Sequence, residues 1–375
     1  MLLFGSAIKM SNNSLMKISK EAFEEYLSSL YDCKVTIKSF RRIGETQQTA
    51  ELKGFGYGFP YIIEFIANGL NKRVVLETMR PDGFGHEHFS DRAHVLLWQN
   101  YAFNRLPKHV HSVDVGGFEQ DSRLKSVGKC TEFFILTEFV DGSLYHKDLD
   151  KIRDTGVLAP LDKERCLALS NYLVEIHRLK HDAPNLYVRR IRELVGHGEC
   201  IMGLLDSYPS DFKGVSESYF VRIEKKCVDW RWRLKKKTHR LSQVHGDFHP
   251  WNVLFLQGTD FTVLDRSRGE WGEPADDLAA LTINYLFYSL MKHGQIADEF
   301  ESLFRLFWDN YLEKTNDFEV LSVIPPFYAW RGLVIASPVW YPNISVRIRT
   351  KLFKFVENVL GVDKFDVPSV NSYFE

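Results

Sequence analysis

Val244-His245-Gly246-Asp247-Phe248-His249-Pro250-Trp251-Asn252-Val253-Leu254-Phe255 decides the reading of this chain, together with Phe261-Thr262-Val263-Leu264-Asp265 just after it. Both contain apolar runs of strand length, and Gly258-Thr259-Asp260 between them supplies turn residues. The pair is therefore expected to form a β-hairpin. Such a hairpin holds Asp247, Asn252 and Asp265 close together.

Those three residue types suit one chemistry. Phosphoryl transfer from a nucleotide needs an acceptor hydroxyl aligned with the γ-phosphate and cations to neutralise phosphate charge. An Asp on a loop can orient the hydroxyl and take its proton. An Asn and a second Asp, five and eighteen positions further on, can hold Mg²⁺ through hard oxygen ligands. His245 and His249 form His-x-Asp-x-His with Asp247, a pattern that also suits zinc or iron. Because Asn252 and Asp265 complete a magnesium site instead, the two histidines are expected to be hydrogen-bonded loop residues.

His245 to Asn252, Leu264-Asp265 and Gly272-Glu273-Pro274-Ala275-Asp276-Asp277-Leu278-Ala279 closely resemble the motifs of the aminoglycoside phosphotransferase and choline kinase-like family, relatives of protein kinases. The resemblance implies an α+β, two-lobed protein-kinase-like fold. A small N-terminal antiparallel sheet lobe, residues 1–139, would bind nucleotide. A larger, mainly helical lobe, residues 140–375, would carry catalysis and the acceptor, with ATP and Mg²⁺ in the cleft. It further implies that Asp247 is the catalytic Asp and that Asn252 and Asp265 are metal ligands. Asp265-Arg266-Ser267 stands where protein kinases have D-F-G, and Asp277 would tie the following helix to the catalytic loop.

The same resemblance bears on the nucleotide. Residues 132–142 are expected to be a strand running into the hinge, where backbone groups near Glu138 and Val140 would hydrogen-bond adenine. Gly54, Gly56 and Gly58 lie in a glycine-rich turn between strands that could let N–H groups approach a triphosphate. No G-K-S/T follows, so it is not a Walker A loop. Relatives place a phosphate-pairing Lys or Arg in the strand Val74 to Arg80, yet the simplest register puts Glu77 there, where a carboxylate would repel phosphate. Either Lys53, Arg73 or Arg80 supplies the charge, or ATP is bound in an altered or weaker way. Asp91 is placed to cap a helix from Arg92 to Phe103.

Composition bounds the rest. The chain has 375 residues, 45% hydrophobic and 26% charged, enough for one or two globular cores, and a formal net charge of -1 gives no global attraction to nucleic acid or membrane. Five scattered cysteines without C-x-x-C spacing suggest neither a disulfide framework nor a zinc site. The first residues lack the layout of a signal peptide. A cytoplasmic location is the expectation. The apolar stretch Leu278 to Met291 is too short to span a bilayer and carries Asn284, so it is expected to be a buried helix.

Helical periodicity also marks residues 17–31, 162–178 and 219–241, and strand patterning marks 35–43, 61–67 and 73–79 around a turn at Asn68-Gly69. The last of these helices carries a basic cluster interleaved with Trp230 and Trp232. Such a cluster can bind nucleic acid, but with near-zero net charge a solvated face is expected.

The aromatic-rich region after Asp277 is expected to be mostly core, with some residues free to line an acceptor pocket. A polycationic acceptor would need clustered acids. Asp298, Glu299, Glu301, Asp309 and Glu313 look instead like one polar helix face, and Arg331, Arg347, Arg349, Lys351 and Lys354 follow, so an anionic or neutral acceptor fits at least as well.

The expected activity is transfer of the γ-phosphoryl group of ATP, with Mg²⁺, to a hydroxyl of a small-molecule acceptor. The alternative is a nucleotide-binding regulatory protein without turnover, made credible by Glu77. No Ala-Pro-Glu follows Asp265 and no long activation segment fits before Gly272, which speaks against a protein kinase.

Overall fold

The structure, a computed structural model, describes residues 19–42, 60–79, 81, 85–105, 109–121, 123–133 and 135–375. The chain divides into two compact units, one ending at Thr137 and one spanning Glu138–Glu375. It is an α+β protein, with a small antiparallel sheet in the first unit and a mainly helical second unit.

The first unit opens with α1 (Lys20–Tyr31), whose N-cap Ser19 accepts a hydrogen bond from the Ala22 amide. Three antiparallel strands follow in the order β1 (Val35–Arg42), β2 (Tyr61–Ala67) and β3 (Leu70–Leu76). β2 alternates buried and half-buried positions, so Ile63, Phe65 and Ala67 meet Phe23 and Leu27 of α1 in one apolar cluster. Asn68 (φ 51°) and Gly69 (φ 74°) make the tight β2–β3 turn, in which both central residues need positive φ.

Next come α2 (Phe89–Phe103) and a short hairpin of β4 (Gly116–Phe118) and β5 (Leu124–Ser126). α2 starts earlier than expected. His88 is its cap residue, and Asp91, inside the first turn, accepts from the His88 amide at 2.8 Å. The hairpin was not expected; residues around Gly116-Gly117 had the composition of a loop.

The second unit runs β6 (Ser143–Leu144), α3 (Tyr145–Thr155), α4 (Pro160–His177), α5 (Pro184–Gly196), α6 (Ile201–Asp206), α7 (Glu217–Leu234), β7 (Ser242–Gln243), β8 (Val253–Phe255), β9 (Phe261–Val263), β10 (Trp271–Gly272), α8 (Pro274–His293), α9 (Asp298–Thr315), α10 (Pro325–Ala336) and α11 (Val346–Val359). α8 is buried on every side from Leu278 to Leu290, the signature of a central helix. α4, α9 and α10 pack around it. No helix among the described residues is long and apolar enough to cross a membrane.

Two expectations are corrected. The strand foreseen over residues 132–142 does not form: Ile135–Gly142 has no sheet partner, and Ile135, Leu136 and Phe139 are 84%, 86% and 91% exposed. An apolar run pairs only where a neighbouring strand offers a face to pack on. α7 ends at Leu234 rather than Leu241, because Lys235-Lys236-Lys237 leads into a short 3₁₀ turn, Thr238–Arg240, that buries Arg240 against Glu273 at 2.7 Å and Asp317 at 2.8 Å. The basic cluster of α7 is split: Trp230 is buried and donates to the Leu360 carbonyl, Arg233 pairs with Asp363, and Trp232 lies exposed under Arg231 and Lys235.

Candidate active site

The loop between β7 and β8 carries the motif, and its conformation is fixed by groups outside it. β7 pairs with β10, Ser242 opposite Gly272 and Gln243 opposite Trp271, so both the entry to the loop and the entry to α8 are pinned to one short ladder. Asp277, in the first turn of α8, then accepts the His245 amide at 2.8 Å and the Gly246 amide at 2.7 Å. A fully buried carboxylate is stable only when its lone pairs are filled, and His177 fills another at 3.2 Å, itself held by Tyr311. Asp277 thus ties helix to loop, the role the resemblance implied.

Gly246 has φ +86°, and a Cβ there would stand 3.1 Å from the Arg268 Cβ. Only glycine takes that turn without strain. The turn leaves Asp247 partly exposed while Phe248 is fully buried against Tyr172.

The hairpin forms as expected. Val253 pairs with Val263 and Phe255 with Phe261, and the Leu264 amide donates to the Asn252 carbonyl at 2.8 Å. Asp265 therefore follows the residue directly across from Asn252, and takes a left-handed conformation, φ 53°. The Asn252 Nδ2 donates to the Asp247 backbone carbonyl at 3.1 Å, which fixes which way the amide faces. Its Oδ1 accepts no hydrogen bond, and the Asp265 carboxylate is exposed with no hydrogen-bond or ion-pair partner. Two unengaged hard oxygen donors on adjacent β segments suit a divalent ion such as Mg²⁺.

Arg331 of α10 was not singled out as a partner of Asp247, and it is the strongest contact that Asp247 makes. Its guanidinium donates to Asp247 Oδ1 at 2.5 Å and to Asp276 Oδ1 at 2.7 Å, and the residue is 7% exposed. Eighty-four residues separate it from Asp247 in the chain, so no local pattern announces the pair.

Burial opposes charge on Asp247, but Arg331, His249 and Arg268 outweigh it and hold the carboxyl below its ordinary range. For Asp276, burial wins over Arg331 and pushes the carboxyl up to about 6.

His245 and His249 serve the loop, as expected. His245 Nδ1 accepts from the Asp247 amide and His249 Nδ1 from the Trp251 amide. His249 Nε2 lies 3.6 Å from Asp247 Oδ2. Burial, together with Arg331 and His245, lowers its pKa despite Asp247 and Asp265, so the ring favours the neutral form.

The expected nucleotide contacts lie elsewhere. Gly54, Gly56, Gly58, Lys53 and Arg80 are outside the described residues. Glu138 and Val140 fall in the irregular segment that replaces the expected strand. Arg73 pairs with Glu64 at 3.0 Å, and Glu77 sits exposed just past the end of β3.

Residues 107–290 match the model of the phosphotransferase enzyme family, a segment that includes the whole loop, the hairpin and α8. That segment is a phosphotransferase-family segment. No curated protein sequence matches the chain. Among solved structures, an amicoumacin kinase is 14% identical, with 90% of this chain and 91% of that one covered and a TM-score of 0.40. A choline kinase from Streptococcus pneumoniae is 12% identical over 91% and 98%, TM-score 0.35. An ethanolamine kinase from Plasmodium vivax is 14% identical over 90% and 80%, TM-score 0.35. Likenesses this distant carry no weight on the acceptor of the phosphotransferase segment.

Proposed function

We propose that the protein transfers the γ-phosphoryl group of ATP, with Mg²⁺, to a hydroxyl of a small molecule. The observation that carries this reading is the Asp277-anchored loop, which holds Asp247 beside a hairpin bearing the unengaged oxygens of Asn252 and Asp265. The family match over residues 107–290 supports the reaction class.

Asp247 is the base in this reading. Its Oδ1 is taken by Arg331, which leaves Oδ2 to orient an incoming hydroxyl and receive its proton as the phosphoryl group moves. The lowered pKa keeps Asp247 ionised at neutral pH, so it is ready to accept a hydrogen bond from that hydroxyl. Asn252 and Asp265 would hold the divalent ion, whose chemistry is to neutralise the phosphates. Asp277 contributes by fixing the loop, and His249, largely neutral, does not compete for the proton.

The test pairs binding with turnover. ATP with Mg²⁺ should raise the melting temperature, and ADP should form in the presence of an acceptor panel. Asp247→Asn should keep the thermal shift and lose turnover by roughly a hundredfold or more, the range in which removing a positioned base falls. Nucleotide binding with no Asp247-dependent turnover on any acceptor would favour a regulatory nucleotide-binding protein instead.

A further inference from the structure

Beside Asp247 lies a stack of three residues. The Arg331 guanidinium sits 3.9 Å from the centre of the Trp330 ring, and the Arg268 guanidinium 4.6 Å from it. Trp330 and Arg331 come from α10, and Arg268 from the segment between β9 and β10 that abuts Gly246. Cation–ring attraction holds such an assembly together, but it puts two like charges close to one ring.

Hydrogen bonding in this stack is one-sided. Among the described residues, five buried side-chain polar atoms lack a partner, and three of them are the N–H donors Arg268 Nε, Trp330 Nε1 and Arg331 Nε. Buried donors without acceptors are costly and mark an unfilled demand. The charges differ in the same sense. Arg331 is matched by Asp247 and Asp276. Arg268 has a thiol contact, Nη1 to Cys200 Sγ at 3.4 Å, and one ion pair at 3.6 Å to Glu199, a side chain 66% exposed. Its own side chain is 23% exposed, so the guanidinium edge reaches solvent while its inner edge does not.

The nearby acids are already committed. Asp276 is held by Arg331, and Asp277 by the loop amides and His177. On α9, Glu299 pairs with His293 and Lys292, and Glu301 with Arg305. A polycation would meet Arg268 and Arg331 with no spare carboxylate on these elements to receive it.

We propose that the acceptor is an anionic hydroxy compound, its carboxylate or phosphate paired with Arg268 in front of Trp330 and Arg331, with its hydroxyl delivered to Asp247 Oδ2. This rests on the phosphotransferase reading and names the acceptor class of that site. Arg268 is then the residue that determines specificity. Arginine suits it because the planar fork can grip a carboxylate or phosphate through two donors at once.

The experiment uses the full chain and matched three-carbon probes: glycerate, glycerol 3-phosphate, glycerol and serinol. The first arm is direct binding without ATP, by calorimetry. Glycerate or glycerol 3-phosphate should bind the wild type more tightly than glycerol or serinol do, and Arg268→Gln should weaken that binding about ten- to a hundredfold, the value of a lost charge-assisted contact. Which of the two anions binds more tightly separates carboxylate from phosphate. Equal binding of anions by Arg268→Gln, or preference for serinol, overturns the proposal.

The second arm follows ADP formation with Mg-ATP on a wider panel of hydroxy acids, sugar phosphates, amino alcohols and aminoglycosides. Asp247-dependent turnover confined to the cations overturns the anionic assignment and leaves the phosphotransferase reading standing. Arg268-dependent anion binding without phosphoryl transfer on any of them does the reverse. Arg268→Lys should restore part of the lost affinity in KM for the acceptor, a rescue that a merely structural role would not produce.

Discussion

Arg331 is where burial and charge are most tightly balanced. It lies between Asp247 and Asp276 with one nitrogen for each. Removing one partner of a buried ion pair leaves an uncompensated charge, so Arg331→Met should cost about 3–5 kcal/mol, read as a lower urea midpoint. Arg331→Met with Asp276→Asn should recover part of it; an equal or larger loss would mean that the triad is not coupled. The carboxyls also set a pH signature. Asp276 is raised from an ordinary 3.8 to about 6, so the folded state binds its proton more tightly than the unfolded one. Its stabilising contribution is complete below about pH 4 and is lost as pH rises through about 6. Asp247, being lowered, acts oppositely, losing its contribution only as pH falls below the ordinary carboxylate range. Asp276→Asn should therefore flatten the fall in urea midpoint between pH 4 and 6 relative to the wild type. Parallel profiles would refute the assignment.

At the scale of elements, the loop before β8 is held by the start of α8 rather than by its own residues. Asp277→Ala leaves two amides without an acceptor, at about 1–3 kcal/mol for each unsatisfied group. Hydrogen exchange at His245 and Gly246 should then accelerate well before α8 itself opens, while unchanged protection there would show that the loop is fixed by something else. Gly246→Ala meets both the positive φ and the Arg268 side chain, and a cost of about 1–3 kcal/mol follows from strain in that region. These elements were largely legible in the sequence. Turn residues flanked by apolar runs marked the β8–β9 hairpin, and Asn68-Gly69 marked β2–β3. Residues 132–142 misled because strand propensity reflects packing against neighbours, which the pattern of one segment cannot supply.

For the molecule as a whole, Ile135–Gly142 is the weak point. It is irregular, its apolar side chains are exposed, and it spans the division between the two units. Such segments open without disturbing a core. Limited chymotrypsin treatment should cut first after Leu136 or Phe139 and leave a resistant fragment beginning near Thr137 or Val140, identified by intact mass. First cleavage within α7 or α8 would contradict this picture.

The sequence by itself determined the catalytic-type loop, the hairpin after it and the role of Asp277, because these depend on residue types at short and fixed spacing. It also held the correct roles of His245 and His249, since Asn252 and Asp265 supply harder ligands than a second imidazole would. Only the tertiary structure decided that Arg331 clamps Asp247, that Asp276 is half-way to neutral, and that Arg268, Trp330 and Arg331 form one stack. Those pairings join residues from separate elements. Their energies come from burial and from proximity in space, neither of which has a period or a spacing along the chain.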